Sequence, residues 1–312
     1  MADIHYGRKR KGMVRELNIK LSAWIDTIDD EDVVAAVKRD TIVTGGSIAS
    51  MLLGEPINDF DIYFRTKETT LLVAHYYVRK FNDAVAEKDV VMHMPYVTEK
   101  PIINCKGVEE DRVLIYIKSA GVAAEEQNTY QYFEMQPKEM AEEFAKSLEE
   151  NKTSGKAPYR PVFLSANAIT LSNDVQLIIR FFGEPDKIHD NFDFMHAMSY
   201  YDYAARDLVL PASALECLLS RTLVYAGSLY PMCSIFRMRK FLDRGWRISA
   251  GEILKIMWQI SELDLKDQAV LHEQLTGVDA AYMHELLDAL KDVDADKINS
   301  TYVAEIIDRI FN

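Results

Sequence analysis

Cysteine is scarce in this 312-residue chain: Cys105, Cys217 and Cys233 stand far apart, with no CxxC pair and no histidine at ligand spacing beside them. That excludes a disulfide framework and a structural zinc site, and makes a reducing cytoplasm the expected setting. Apolar runs of 18 or more residues are missing, and the opening Met1-Ala2-Asp3-Ile4-His5 has no apolar signal core, so no membrane association is expected. Internal repeats and low-complexity tracts are also missing. Basic residues are in deficit, with 36 Lys and Arg against 49 Asp and Glu, a formal net charge of −13. A surface of that sign repels polyanions and disfavours broad, non-specific nucleic-acid binding. Hydrophobic residues at 48% and charged residues at 27% are those of an ordinary globular protein able to bury a core.

Two basic clusters run against the average. Arg8-Lys9-Arg10-Lys11 precedes the first periodic segment and is expected to be a solvated tail. Arg237, Arg239, Lys240, Arg244 and Arg247 fall on an amphipathic helix with Ile235, Phe236, Met238, Phe241 and Leu242.

Periodicity predicts helices over Met13 to Ile28, Asp32 to Arg39 and Leu71 to Ala84. Thr41-Ile42-Val43-Thr44 is a β-branched strand ending at Gly45-Gly46, and Ser47 is placed to cap a helix that stops at Gly54. Phe60 to Phe64 alternates as a strand, Arg112 to Ser119 is apolar enough for a buried one, and Ala168 to Leu171 with Val175 to Phe181 form a hairpin across Ser172-Asn173-Asp174. Lys138 to Glu150 has helical spacing, and Asn151 to Pro158 is the best hinge signal. From about Asn191 onward every strong segment has helical spacing, including Gly251 to Ser261, Asp279 to Val293 and Thr301 to Phe311. The expected architecture is α+β: N-terminal helices over 1–40, a small mixed sheet flanked by helices over 41–190 with an insertion at about 67–157, and a helical domain over 191–312.

The chemistry concentrates in Ile42-Val43-Thr44-Gly45-Gly46-Ser47, an eleven-residue spacer, and Asp59-Phe60-Asp61-Ile62-Tyr63. Two glycines let the backbone approach phosphates, and the helix behind them offers N–H groups and the positive end of its dipole. Asp59 and Asp61, one residue apart on a strand, share a face. Paired carboxylates suit Mg²⁺, which shares oxygen ligands with substrate phosphates, and two such ions would serve both attacking and leaving oxygens. Either motif alone is usually a turn or a solvated loop; their order in one strand–helix–strand unit favours function. A valine at Gly46 is expected to crowd a bound triphosphate.

This arrangement resembles the signature of DNA polymerase β-type nucleotidyltransferases, most closely class II CCA-adding enzymes and bacterial poly(A) polymerases, through the Gly-Gly-Ser, the Met51-Leu52-Leu53-Gly54 spacer and the Asp-x-Asp pair. Phe192-Asp193-Phe194-Met195-His196-Ala197-Met198-Ser199-Tyr200 is similar to a second motif of those families, with Asp193 on its aspartate, and Arg237-Met238-Arg239-Lys240-Phe241 resembles their nucleotide-contacting helix. The resemblance implies transfer of a nucleoside monophosphate from a nucleoside triphosphate such as ATP to an acceptor hydroxyl, an RNA or tRNA 3′ end being favoured. Asp59, Asp61 and Asp193 would be catalytic. Gly45, Gly46, Ser47, Arg180, Arg237 and Lys240 would hold the nucleotide, and two Mg²⁺ ions would sit on Asp59 and Asp61. Where those families carry a third strand acid this chain offers Gln176, which cannot take a proton; Asp174, Glu184 or Asp193 could supply the acid, or the metal alone could activate the acceptor. A toxin-like enzyme modifying tRNA or protein, and an impaired nucleotide-binding module, are the alternatives. His189 and His196, seven residues apart, are expected to pack or hydrogen-bond rather than bind metal, and Tyr200, Tyr201 and Tyr203 to pack.

Overall fold

A computed structural model describes residues 7–86, 94–103, 109–116, 157–267, 270, 271 and 274. Helix α1 (Arg10–Ile25) buries Met13, Leu17, Leu21, Trp24 and Ile25, the three-to-four spacing that predicted it. Helix α2 (Glu31–Asp40) starts at Asp30, whose carboxylate accepts from the N–H groups of Asp32 and Val33, and has acids in its first turn and bases in its last. Strand β1 (Thr41–Thr44) is buried throughout and runs into α3 (Gly46–Leu53), which ends at Gly54 in a left-handed conformation (φ 70°). Strand β2 (Phe60–Phe64) and the long helix α4 (Lys67–Ala86) complete the first unit.

The main sheet has seven strands in the order β5-β6-β7-β2-β1-β8-β9. Its further members are β5 (Pro161–Leu164), β6 (Ala168–Leu171), β7 (Val175–Phe182), β8 (Tyr200–Asp202) and β9 (Asp207–Val209). Only β2 and β7 run parallel; every other pairing is antiparallel, so the sheet is mixed. The β6–β7 turn is made at Asn173 (φ 65°) and Asp174 (φ 55°), residue types that tolerate the left-handed region. A separate hairpin pairs β3 (Tyr96–Ile103) with β4 (Glu109–Tyr116), burying Val113 and Ile115.

The two faces of the main sheet differ in chemistry. Val43, Phe60, Ile62, Phe64, Val175, Leu177 and Ile179 point into the principal core, closed by α1, α2 and α4. Trp24 donates its indole N–H to the Tyr77 hydroxyl at 2.7 Å, so the largest buried ring carries no unpaired donor. On the opposite face Ile42, Tyr63 and Ile188 form a smaller cluster with Ile178, Phe181, Phe192 and Tyr200. The alternation leaves Asp61 and Gln176 on this second face as well.

The later helices are α5 (Pro185–His189), α6 (Ala212–Ser220), α7 (Pro231–Asp243) and α8 (Ala250–Ser261), with a short 3₁₀ turn at Met195–Ala197 and a two-stranded pair β10 (Thr222–Leu223) and β11 (Arg247–Ile248). Their core joins Leu218, Leu223, Tyr225, Trp246 and Ile256 to Ala49 of α3.

Three sequence expectations change. The segment after Asn191 is not uniformly helical: Tyr200–Asp202 and Asp207–Val209 add two strands to the β1 edge of the sheet, too short for period-2 alternation to register. Arg10 and Lys11 are not in a tail; they open α1, and Arg10 donates to Asp207 at 2.6 Å and to the Leu208 carbonyl at 3.1 Å. Ser47 does not cap α3; Gly45 occupies that position and Ser47 lies buried in the first turn. The helices expected at Lys138 to Glu150, Asp279 to Val293 and Thr301 to Phe311, and most of the Asn151 to Pro158 hinge, fall outside the described residues. None of the helices among the described residues is long and apolar enough to cross a membrane.

Candidate active site

The site begins with a residue that only glycine fits. Gly45 has φ 97° and ψ −151°, a region closed to side chains, and a Cβ built on it would lie 3.2 Å from Asp61 Oδ2. The Asp61 carboxylate therefore rests against the Gly45 α-carbon at the mouth of α3. Gly46 has no such constraint: a Cβ there meets nothing within 4 Å and faces open space. A side chain at Gly46 thus meets no part of the protein itself.

The turn is held from far along the chain. Gly45 N–H donates to the Ala197 carbonyl at 3.1 Å. Thr44 donates its hydroxyl proton to the Ser199 carbonyl at 2.9 Å, which leaves its oxygen to accept from His189 Nε2 at 2.8 Å. His189 in turn packs against Phe192 and Tyr200, with ring centroids 5.0 and 5.9 Å away.

Asp59 is exposed just before β2, while Asp61 is half-buried within it. Loss of hydration around the Asp61 carboxylate, followed by repulsion from Asp59, raises its pKa to about 8. Tyr63, the next residue on that face, is held well above the ordinary tyrosine range by burial first and then by Asp61, with Arg237 opposing and Asp59 adding to the rise. Asp59, Asp61, Tyr63 and Arg237 therefore share one electrostatic neighbourhood. Register places Gln176 of β7 directly beside Asp61, with Thr170 of β6 beyond it. The neighbour of Asp61 on β7 is therefore an amide and not a carboxylate. Among the described residues no three carboxylate, histidine or cysteine groups converge to hold a metal.

Asp193 is buried and paired with Arg237 Nη1, one carboxylate oxygen satisfied and the other without a hydrogen-bond partner. Burial pulls the Arg237 guanidinium down, but Asp193, with Cys233 and Tyr63 adding, more than offsets this and its pKa is raised. The pair bridges the 192–199 segment to α7 above the Tyr63 face. Ser47 contributes a buried hydroxyl whose oxygen also lacks a partner.

Two further expected nucleotide ligands are Arg180 and Lys240. Arg180 is buried, donates to the Tyr230 hydroxyl and stacks 4.3 Å over its ring; Arg112 donates to the same oxygen at 2.7 Å. Lys240 is exposed on α7 beyond Arg237. Tyr63 was not singled out from the sequence, although continuing the Asp59, Asp61 alternation by one step would have found it.

The two histidines make no shared site. His189 ends α5, whereas His196 lies on the 3₁₀ turn between Phe241 and Trp246, ring centroids 4.5 and 4.6 Å away. Burial lowers both to about 4; Asp186 and Asp190 partly oppose this at His189, and Arg244 adds to it at His196. Because each folded pKa is depressed, the unfolded chain takes the proton first as pH falls below about 6.5. Stability is therefore full above that pH and is expected to fall by about 2 kcal/mol per histidine by pH 5. Denaturant melts at pH 7 and pH 5 check this; His196→Phe should remove roughly half of the loss, and a flat profile in the native chain would refute it.

A glycine turn at a helix mouth, faced from the antiparallel neighbour strand by Asp61 with Asp59 just before that strand, is set in a mixed sheet of an α+β fold. Residues 15–221 match the sequence profile described as Gabija anti-defense 2 family protein. The chain belongs to that family. A curated relative, Gabija anti-defense 2 of Bacillus phage SPbetaL7, is 25% identical over 116 residues, which is 37% of this chain and 29% of that protein. The chain thus matches under a third of the relative's length. Similar solved structures include a tRNA-processing enzyme with CTP (12% identity, TM-score 0.37, covering 89% of this chain and 55% of that one). Another is the Thermotoga maritima CCA-adding enzyme complexed with tRNA (11%, TM-score 0.36, 88% and 56%).

Asp59, Asp61, Gly45, Ser47, Arg180 and Asp193 all lie inside the span matched by the family profile, whereas Arg237 and Lys240 lie beyond it. The Gly45 contact yields a direct test. Gly45→Ala is expected to cost about 1–2 kcal/mol through its left-handed backbone and to displace Asp61, while Gly46→Ala leaves stability within about 0.5 kcal/mol. Thermal melts of the two variants separate them, and equal melting temperatures would overturn the contact as described.

Proposed function

We propose that this chain is a metal-dependent nucleotidyltransferase that moves a nucleoside monophosphate from a nucleoside triphosphate to an acceptor hydroxyl and releases pyrophosphate. The observation that carries the reading is the Asp61 carboxylate set against Gly45 and repelled by Asp59. Two carboxylates close enough to repel one another fit a divalent ion, and Mg²⁺ takes few protein ligands because phosphates and waters fill the rest. Asp59 and Asp61 would hold it, and when bound it would neutralise charge on the transferring phosphate. The chain's own part is positional. Gly45 and Gly46 leave room for phosphates at the mouth of α3, whose N–H groups and the unpartnered Ser47 hydroxyl can donate to them. Asp193 keeps Arg237 oriented over the same face, where its guanidinium can meet phosphate charge.

Gln176 favours a second reading, a nucleotide-binding module without transfer, since the amide beside Asp61 accepts no proton. The family's anti-defense description is compatible with either. Incubation with labelled nucleoside triphosphates and Mg²⁺, with total tRNA or bacterial lysate as acceptor, decides: label on RNA or protein supports transfer and names the acceptor class. Saturable nucleotide binding with no labelled product supports the module instead.

A further inference from the structure

On the opposite face of the sheet, away from the aspartate pair, a cleft of about 290 Å³ opens between α1 and the β8–β9 turn. Its helix wall is Lys11, Val14, Arg15 and Asn18, one stripe at i, i+3, i+4 and i+7. Its other wall is Arg206, at the turn, and Tyr201 of β8. Arg10 clasps the rim shut through Asp207, while Lys11, Arg15 and Arg206 have no acidic partner among the described residues. In a chain of net charge −13, three unopposed cations around one small cleft is a local reversal of sign.

The floor of the cleft is built for a polar guest. Tyr201 is fully buried, yet its hydroxyl has no hydrogen-bond partner, and neither does the buried Asn18 amide oxygen. A buried hydroxyl left unpaired is destabilising, so such groups are seldom retained without a partner. Arg206 is close enough to act on the Tyr201 hydroxyl electrostatically. The hydroxyl can donate to an anion, and the amide oxygen needs a donor in return.

We propose that this cleft binds a phosphorylated small molecule, its phosphate held by Lys11, Arg15, Arg206 and the Tyr201 hydroxyl and a neighbouring hydroxyl donating to Asn18. Its volume suits a sugar phosphate rather than a larger ligand. The site is separate from the aspartate pair and does not depend on its function.

Calorimetric titration of the full chain at low salt with inorganic phosphate, ribose 5-phosphate and ribose tests it. Ribose 5-phosphate is expected to bind more tightly than phosphate, with ribose silent and added salt weakening both. Arg15→Ala with Arg206→Asn, the latter a residue at ease with φ 53°, should weaken binding about tenfold or more, and Asp61→Asn should leave it unchanged. Tyr201→Phe should lose affinity while the ligand-free protein becomes no less stable, the reverse of a hydroxyl with a structural role. Absence of binding by both phosphate probes, binding of ribose alone, or affinity indifferent to these substitutions would overturn the proposal.

Discussion

Asp61→Asn is expected to abolish nucleotidyl transfer, by about a thousandfold or more, while raising the melting temperature of the metal-free protein. The two effects have one cause. In the native chain a carboxylate stripped of water sits beside Asp59, and both factors penalise its charge, as its raised pKa records. The amide keeps the shape and removes the charge, relieving a repulsion worth about 1 kcal/mol or more, or about 2 °C or more in melting temperature. A divalent ion relieves the same repulsion by a different route. Mg²⁺ should therefore stabilise the native chain and not the variant, a readout that needs no substrate. Equal Mg²⁺ response in both proteins would remove the basis for a metal on this pair, and full activity of Asp61→Asn would remove the enzymatic proposal.

Arg237→Met should destabilise the fold more than any other single change discussed. Asp193 is nearly inaccessible, and its remaining oxygen already has no partner. Truncating the guanidinium strands a buried carboxylate, a change that costs about 3–5 kcal/mol in fully buried pairs. Arg237 keeps 42% of its side chain open, so solvent can partly compensate and about 2–3 kcal/mol is the expected loss. The double variant Arg237→Met, Asp193→Asn should recover much of it, because neither charge is then left alone. Urea melts of the three proteins give the coupling directly. Additive losses would show that the pair does not act as a unit.

The strand–glycine–helix–strand unit was legible because each of its signals is local: β-branched Thr41 to Thr44, the consecutive glycines, the left-handed stop at Gly54 and the alternation from Phe60. The β6–β7 turn was legible for the same reason, through Ser172-Asn173-Asp174. What escaped is non-local. Tyr200 to Asp202 is strand because β1 supplies its hydrogen bonds, not because three residues display a period. The lysine and arginine run at the N-terminus looked solvated until Asp207, nearly 200 residues on, supplied the partner that anchors it. β3 was invisible, since its Glu99 and Lys100 break any apolar pattern.

The candidate site divides along the same line. Gly45 and Asp61 were found by spacing, whereas the contact between them needed the β1–β2 register. Asp193 was picked out only by resemblance, and its pairing with Arg237 depends on how α7 crosses the sheet. Arg180 was singled out as the charge at the end of an apolar strand, and its contact with Tyr230, fifty residues on, could not be foreseen from that strand.

One small bond has consequences for how the molecule is made. The amide of Gly45 is gripped by a carbonyl from Ala197, and β1 lies between β2 and β8, so an early segment waits on one synthesised much later. A ribosome-bound intermediate ending short of Tyr200 would carry the acidic pair and the glycines yet leave one edge of β1 bare and the turn untethered. On the proposed reading, competence for phosphate should accordingly arrive late and abruptly, as the chain passes that point, and closing so long a loop should make it one of the slower steps of folding.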